Sequence, residues 1–366
     1  MDQEAAKKLE ELKEEYSRTK YNKATNKHLS MLRAKIAKIK KEMNSRKRRH
    51  GTGFTIRKSG DATVAIVGFP NAGKSTLFKA LTGVESKVAN YMFTTTDLIP
   101  GMLEYKNAKI QIFDLPGLIG GAYKGIGGGK EIASAIRSVD LILLVVDITS
   151  PSQAKDMLAE LKGLNILPYS EREKIKMEPR ERGGIELTVA KGAQVNKESI
   201  SEVLNSFGIF NCKLYISSSV DEDELIDFIS GKISYIRMLL VLNKIDIKPD
   251  YKHVAEALNT ETGLHTVAVS ADASLNLEEL KESIFKELKL IRVYLKPKNG
   301  AVDYMNPMIM REGSTISDVA SRIHSDIANE LKFAYVTGPS VKFANQKVGA
   351  GHAVMDGDTV YLVYKF

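Results

Sequence analysis

The chain has 366 residues, 43% hydrophobic and 27% charged, a composition that excludes a mainly disordered protein and favours two or three folded domains. Its longest apolar run, residues 141–146, is too short to span a membrane, and the charged N-terminus does not resemble a secretory signal, so we expect a cytoplasmic protein. The single cysteine, Cys212, excludes an internal disulfide.

The excess of positive charge lies at the N-terminus. Residues 1–60 contain 18 Lys and Arg against 7 Asp and Glu, whereas the rest of the chain is slightly acidic. Apolar residues at three- and four-residue spacing predict two helices, over 2–19 and 27–45, that form a hairpin. Its basic side chains either coat a solvated helix face or contact phosphates. We favour contact with RNA or the ribosome because the charge is densest over residues 35–49.

From residue 62 onward, short β-rich apolar runs alternate with helix-like segments. Nearly continuous apolarity indicates strands that are buried on both faces, as in a parallel sheet covered by helices. The alternation predicts a doubly wound α/β domain. The strands are expected at 63–67, 109–113, 141–146, 238–242 and 266–269. The helices are expected at 75–82, 130–137, 152–163, 253–260 and 277–289.

The chain contains two further small modules. The interval between residues 163 and 238 is too long for a structureless loop and predicts an inserted α/β subdomain. The last 76 residues predict an α+β module with one helix over 316–330. We therefore expect a basic helical arm (1–60), a central domain (61–166 and 236–290), the insert (167–235) and the C-terminal module (291–366).

Residues 68–75, GFPNAGKS, form a G-x-x-x-x-G-K-[ST] loop between a predicted strand and a predicted helix. The backbone N–H groups of such a loop wrap phosphate oxygens, Lys74 neutralises the β- and γ-phosphate charge, and Ser75 offers an oxygen to Mg²⁺. The expected nucleotide contacts are Gly68, Phe69, Pro70, Asn71, Ala72, Gly73, Lys74, Ser75 and Thr76.

Two more segments are expected at the γ-phosphate. Asp114-Leu115-Pro116-Gly117 follows a predicted strand, where the Asp114 carboxylate can hold a Mg²⁺-bound water and the Gly117 N–H can meet the γ-phosphate. Phe93, Thr94 and Thr95 belong to a threonine-rich cluster. One of its threonines can close on Mg²⁺ when a γ-phosphate is present and release it after hydrolysis.

Two later loops carry the signature of guanine recognition. In Asn243-Lys244-Ile245-Asp246, the Asp246 carboxylate can accept hydrogen bonds from the guanine N1–H and N2 groups, while Asn243 and Lys244 brace the loop. Ser270, Ala271 and Asp272 supply backbone N–H groups for the guanine O6. Each loop follows a strand, and open α/β sheets bind ligands at the carboxyl ends of their strands. These loops therefore favour GTP over ATP.

Together these motifs resemble the Obg superfamily of GTPases, in its DRG (developmentally regulated GTP-binding protein) branch of archaeal type. The resemblance covers the whole chain and is carried by residues 68–76, 90–97, 114–129, 243–246 and 270–272. It implies that Thr95 is the Mg²⁺-binding switch threonine, that 291–366 is a β-grasp TGS domain and that the insert resembles S5 domain 2. It also implies modest hydrolysis and association with ribosomes or translation factors. It leaves room for an accessory protein partner and, for the TGS domain, implies RNA or protein contact.

Three features bear on turnover. Leu118 stands where Ras-like enzymes use glutamine to position water, and an apolar side chain cannot orient water. Asn71 resembles the asparagine of potassium-stimulated GTPases, so we consider K⁺ at Asn71, with a purely bracing role as the alternative. The glycines of 117–129 indicate a second switch that orders when nucleotide binds.

The sequence thus predicts a Mg²⁺-dependent, GTP-hydrolysing molecular switch whose catalytic set is Asn71, Lys74, Thr95, Asp114 and Gly117. The alternative is an RNA- or ribosome-binding protein whose nucleotide site is a scaffold with negligible turnover, and Leu118 leaves that alternative open. Asn243 and Asp246 disfavour an ATPase.

Overall fold

The computed structural model describes residues 2–19, 26–47, 58–84, 99–115, 129–193, 195–220, 222–297 and 300–365. Its contacts divide the chain into two compact units, one made of 1–55 with 159–236 and the other of 56–158 with 237–366. Within the described ranges, every helix is too short or too polar to cross a membrane.

Helices and strands are numbered here in chain order. The helices are α1 (Asp2–Arg18), α2 (Asn26–Lys47), α3 (Lys74–Thr82), α4 (Gly129–Ser138), α5 (Gln153–Gly163), α6 (Lys197–Ser206), α7 (Glu222–Ser230), α8 (Tyr251–Thr262), α9 (Leu277–Glu287), α10 (Ile316–Ile323) and α11 (Ser325–Asn329). The strands are β1 (Ala62–Gly68), β2 (Ile99–Tyr105), β3 (Ala108–Asp114), β4 (Leu141–Asp147), β5 (Ile166–Pro168), β6 (Ile175–Pro179), β7 (Ile185–Val189), β8 (Cys212–Ile216), β9 (Ser234–Asn243), β10 (Thr266–Ala268), β11 (Leu290–Leu295), β12 (Met308–Arg311), β13 (Leu331–Thr337), β14 (Gln346–Val348) and β15 (Thr359–Tyr364).

A mostly parallel sheet in the order β10-β9-β4-β1-β3-β2 organises the larger unit. All seven residues of β1 are buried, as are the first six of β4, because helices cover both faces. The five predicted strands and the predicted doubly wound fold are confirmed. The antiparallel edge strand β2 was not predicted.

The smaller unit contains a three-stranded sheet in the order β6-β8-β7 with α6 and α7. Helix α2 packs on these two helices, and its Ala34 and Ala37 are buried in the same apolar cluster as Leu204 and Leu225. On another side, α2 contacts α1, where Arg33 donates to the Tyr16 hydroxyl. The arm helices are therefore more than an isolated hairpin, because α2 is also part of the insert's core.

The C-terminal module forms a five-stranded sheet in the order β12-β11-β15-β13-β14. Helix α10 begins with a capping box in which Thr315 and Asp318 satisfy each other's backbone N–H groups. The expectation of one helix over 316–330 was wrong, because the backbone is extended at His324 and separates α10 from α11.

The C-terminal module contacts the large sheet at the amino ends of its strands. Arg311 pairs with Asp140 at 3.0 Å and Arg322 pairs with Asp61 at 3.3 Å; these two aspartates immediately precede β4 and β1. Burial raises the pKa of Asp140, but hydrogen bonds from Thr63 and the charge of Arg311 outweigh it and hold that pKa below its ordinary value. This contact leaves the carboxyl ends of the same strands open.

Candidate nucleotide-binding site

The loop between β1 and α3 has the geometry of a phosphate cradle. Gly73 adopts φ +86°, in the left-handed region, and α3 begins at the next residue without a side-chain cap. The first-turn N–H groups of α3 therefore have no capping side chain and can point at an anion. A Cβ at position 73 would overlap the amide nitrogen of Asn243, so only glycine lets the base loop approach this closely.

Asn243 joins three of the predicted loops. Its Nδ2 donates to the Ala72 carbonyl at 3.0 Å, and its Oδ1 accepts from the Ala271 N–H at 3.0 Å. The side chain is 1% exposed. One buried amide therefore holds the phosphate loop, the 243–246 loop and the 270–272 loop together at the carboxyl end of β9.

Lys244 forms a second bridge. Its Nζ donates to the Asn71 carbonyl and to Asp147 Oδ2, both at 2.7 Å. Burial raises the pKa of Asp147, but the hydrogen bonds from Lys244 and Thr149 outweigh it, so that pKa lies below its ordinary value and the carboxylate stays ionised. Sequence reasoning missed Asp147, and its position at the carboxyl end of a buried strand was the signal available.

Ser75 and Asp114 meet on the phosphate side of the site. Ser75 Oγ donates to Asp114 Oδ2 at 2.9 Å, whereas the buried Asp114 Oδ1 has no hydrogen-bond partner among the described residues. Burial raises the pKa of Asp114, and the Ser75 hydrogen bond and the Lys74 charge offset only part of this rise. A buried carboxylate oxygen without a partner, next to a hydroxyl, is a donor set that suits a hard cation such as Mg²⁺.

Lys74 lies beside this pair. Its Nζ donates to the Phe69 carbonyl at 2.9 Å, so the side chain folds back over the phosphate loop. Burial lowers the pKa of Lys74 and the Asp114 charge compensates in part. An anionic phosphate in the loop would provide the negative partner that the desolvated ammonium lacks.

The base side of the site leaves hydrogen-bonding groups available. Asp246 is exposed and its carboxylate makes no hydrogen bond or ion pair with another described residue. The Ala271 N–H, expected to meet guanine O6, instead donates to Asn243. Ser270 and Ala271 are buried while Asp272 is exposed, which makes the backbone N–H of Asp272 the accessible donor of this loop.

The other predicted contacts from the Asp114 segment and from the threonine-rich cluster fall into two groups. Leu115 is buried in the sheet, 1% exposed, and its N–H donates to the Ile66 carbonyl, so its side chain belongs to the core. Five expected contacts lie outside the described residues: Phe93, Thr94, Thr95, Pro116 and Gly117.

Comparison with known proteins decides the family. A model described as 50S ribosome-binding GTPase matches residues 63–175, the C-terminal region of that domain matches 182–290, and a TGS domain matches 291–364. An uncharacterized GTP-binding protein of Methanocaldococcus jannaschii is 40% identical over 98% of this chain and 92% of its own length. Developmentally-regulated GTP-binding protein 1 of Xenopus laevis is 37% identical over 98% of each chain.

The chain belongs to the family of developmentally regulated GTP-binding proteins. The resemblance inferred from the sequence motifs is thereby confirmed, as are the P-loop GTPase sheet and the C-terminal TGS domain. In this DRG protein, the loops that carry the family's GTP-binding motifs are joined by Asn243 and Lys244.

Proposed function

We propose that this DRG protein hydrolyses GTP with Mg²⁺ and acts as a switch whose GTP-bound state is read on the ribosome or on a translation partner. The observation that carries the proposal is the Asn243 bridge, because it pre-assembles the phosphate and base loops around one nucleotide. Thr95 and Gly117 are the proposed sensors of the γ-phosphate.

Ser75 and Asp114 are the residues proposed to hold Mg²⁺, Ser75 directly and Asp114 through water. The unpartnered Asp114 Oδ1 supports this, since a buried charge without a partner is unfavourable until a cation arrives. When bound, the metal supplies positive charge to the β- and γ-phosphate oxygens. Lys74 adds a second positive charge from the loop side and orients the phosphates. Water attacks the γ-phosphate directly, with no covalent intermediate.

Asn71 is the proposed site of K⁺ stimulation. Its backbone carbonyl already braces Lys244, whereas its exposed side chain makes no hydrogen bond with another described residue. The side-chain oxygen is thus available to a monovalent cation, and the bracing role is performed by the backbone. Such a cation would add the charge that an arginine finger adds in other GTPases.

Contact with ribosomal RNA is proposed for the arm, 1–60. The apolar side of α2 packs on α6 and α7, and Lys35 on the same helix is exposed to solvent. The name of the matching family model, a 50S ribosome-binding GTPase, supports the same partner. Phosphate contacts of this kind are sequence-independent and weaken steeply with salt.

The test is GTP turnover measured with and without ribosomes, in KCl and in NaCl. Lys74→Ala should abolish turnover, while Lys79→Ala, an exposed lysine on the same helix, should leave it unchanged. Turnover that stays negligible with ribosomes in KCl would favour the scaffold alternative that Leu118 left open. Equal turnover rates in KCl and NaCl would contradict the proposed potassium site at Asn71. A ribosome pull-down with a GTP analogue and with GDP tests whether binding depends on the nucleotide.

A further inference from the structure

One end of the outer face of the TGS sheet, on β13, β14 and β15, is not covered by another described element. Along β13, Ala334 and Val336 point into the module's core, so Phe333 and Tyr335 point to the opposite face. Cross-strand pairing places Tyr361 of β15 and Lys347 of β14 on either side of Tyr335. We call Phe333, Tyr335, Tyr361 and Lys347 the aromatic face.

The opposite end of the same sheet surface packs against the nucleotide-binding domain. Ile309 of β12 and Leu290 of β11 are buried in the core of the nucleotide-binding domain, at 8% and 5% exposure. The aromatic face lies on the strands beyond them, and its three rings are only half-buried. The surface therefore continues past an internal interface as an exposed aromatic patch.

The rings of the aromatic face are ordered with respect to one another. Tyr335 and Tyr361 are nearly parallel, at 11°, with centroids 6.3 Å apart, and Phe333 meets Tyr335 edge-on at 5.5 Å. The Lys347 ammonium lies 4.0 Å from the Phe333 ring centroid and has no carboxylate partner among the described residues. Neither tyrosine hydroxyl donates to another described group.

The surroundings of the aromatic face are positively charged. Residues 331–355 contain Lys332, Lys342 and Lys347 and no acidic residue at all. In the hairpin between β13 and β14, Phe343 is 64% exposed next to Lys342. A flat aromatic surface bordered by lysines, in a stretch with no carboxylate between Glu330 and Asp356, matches the chemistry of unpaired bases linked by phosphates.

We propose that the aromatic face binds single-stranded RNA, with bases stacked on Tyr335, Tyr361 and Phe333 and phosphates held by Lys347 and its neighbouring lysines. The inference rests on the proposed ribosomal role and adds to it a second RNA surface with a different specificity. The basic arm reads phosphates of any RNA, whereas the aromatic face needs bases that are not already stacked in a duplex.

The experiment compares two labelled RNAs, a 12-nucleotide single strand and its duplex, binding to the full-length protein by fluorescence anisotropy. The wild type should prefer the single strand. Tyr361→Ala should weaken single-strand binding at least fivefold, as expected for a lost base stack, and leave duplex binding unchanged. Tyr361→Phe keeps the ring and should retain the preference. Tyr215→Ala, an exposed strand tyrosine of the insert, is the matched control and should change neither affinity.

Lys347→Glu tests the same face without removing a packed ring. It reverses one exposed charge and should weaken single-strand binding and make that binding less dependent on salt. The inference is wrong if Tyr361→Ala weakens single-strand and duplex binding equally. It is also wrong if Tyr361→Ala and Lys347→Glu each change RNA affinity less than twofold, and a protein partner would then be the better candidate for this face. Ribosome association without single-strand preference would refute this inference alone. Single-strand preference without ribosome association would instead refute the proposed ribosomal role.

Discussion

Asn243→Ala is the substitution that most directly tests how the nucleotide loops are assembled. The wild-type side chain is buried and makes one hydrogen bond to the phosphate loop, at Ala72, and one to the base loop, at Ala271. Alanine leaves the backbone intact but removes both side-chain hydrogen bonds. The two main-chain groups then lose their partners in a place that water does not readily reach.

The magnitude follows from those two unpaired groups. Each buried donor or acceptor left without a partner costs about 1–3 kcal/mol, so the free energy of unfolding should fall by roughly 2–6 kcal/mol. That is a large part of the total of about 5–15 kcal/mol typical of a folded domain. GDP affinity should fall at least tenfold as well, because the freed loops must be ordered when the nucleotide binds.

Asn259→Ala provides the control. Asn259 is exposed, and its Oδ1 accepts one hydrogen bond, from the Thr266 N–H at 2.7 Å. Thr266 is the first residue of β10, whereas the 270–272 loop follows the other end of that strand. Only one main-chain group, the Thr266 N–H, then loses its partner, so we expect a loss of about 1–3 kcal/mol in unfolding free energy and unchanged GDP affinity. Urea unfolding of the nucleotide-free protein and calorimetric titration with GDP measure the two quantities. If Asn243→Ala binds GDP within threefold of wild type, the bridge does not organise the site and the reasoning fails.

Three further substitutions probe separate parts of the site. Gly73→Ala should weaken GDP binding at least tenfold in the same titration, because its Cβ would overlap Asn243 at a left-handed φ; binding within threefold of wild type would contradict this. Asp246→Asn should weaken guanine binding about 100-fold and improve xanthine binding in nucleotide competition, since the amide reverses the hydrogen-bond pattern that the base must match; an unchanged guanine preference would argue against this contact. Asp114→Asn should abolish the Mg²⁺-dependent gain in GTP affinity, yet raise the urea midpoint of the nucleotide-free protein at pH 7 by removing a buried charge. The folded-state pKa of Asp114 is raised, so its contribution to stability is fully present below the ordinary carboxyl pKa of 3.8 and is lost as pH rises through the folded-state pKa. The stability difference from Asp114→Asn should therefore shrink as pH falls and vanish below the ordinary carboxyl pKa.

The sequence was sufficient for elements whose signal is local. β1 and β4 are continuous apolar runs, and runs of that kind are buried on both faces of a parallel sheet. β2 was missed because Pro100 and Gly101 argue against a strand. It is an edge strand, where proline is tolerated, and Gly101 is needed because a Cβ there would lie 2.7 Å from Phe78.

The site shows the same division between local and long-range information. The phosphate loop and the 243–246 loop were found because their chemistry lies within a few consecutive residues. The ion-pair partner of Lys244 was not found, because Asp147 is 97 positions away and its local sequence resembles that of a turn at the end of a strand. The packing of α2 on α6 was likewise hidden, since its alanines give a weak apolar signal.

The two sides of the nucleotide site differ in how well their polar groups are satisfied. On the base side, Asn243 and Lys244 each have two protein partners, so those loops are already in place before a ligand binds. On the metal side, among the residues that the structure describes, Asp114 keeps a buried oxygen unpaired and the desolvated Lys74 ammonium donates its hydrogen bond to a main-chain carbonyl. A diphosphate can therefore bind to preformed loops, whereas Mg²⁺ and the γ-phosphate supply the partners that the metal side lacks. We expect most of the free energy that distinguishes the GTP state from the GDP state to arise there, next to the segments that carry Thr95 and Gly117.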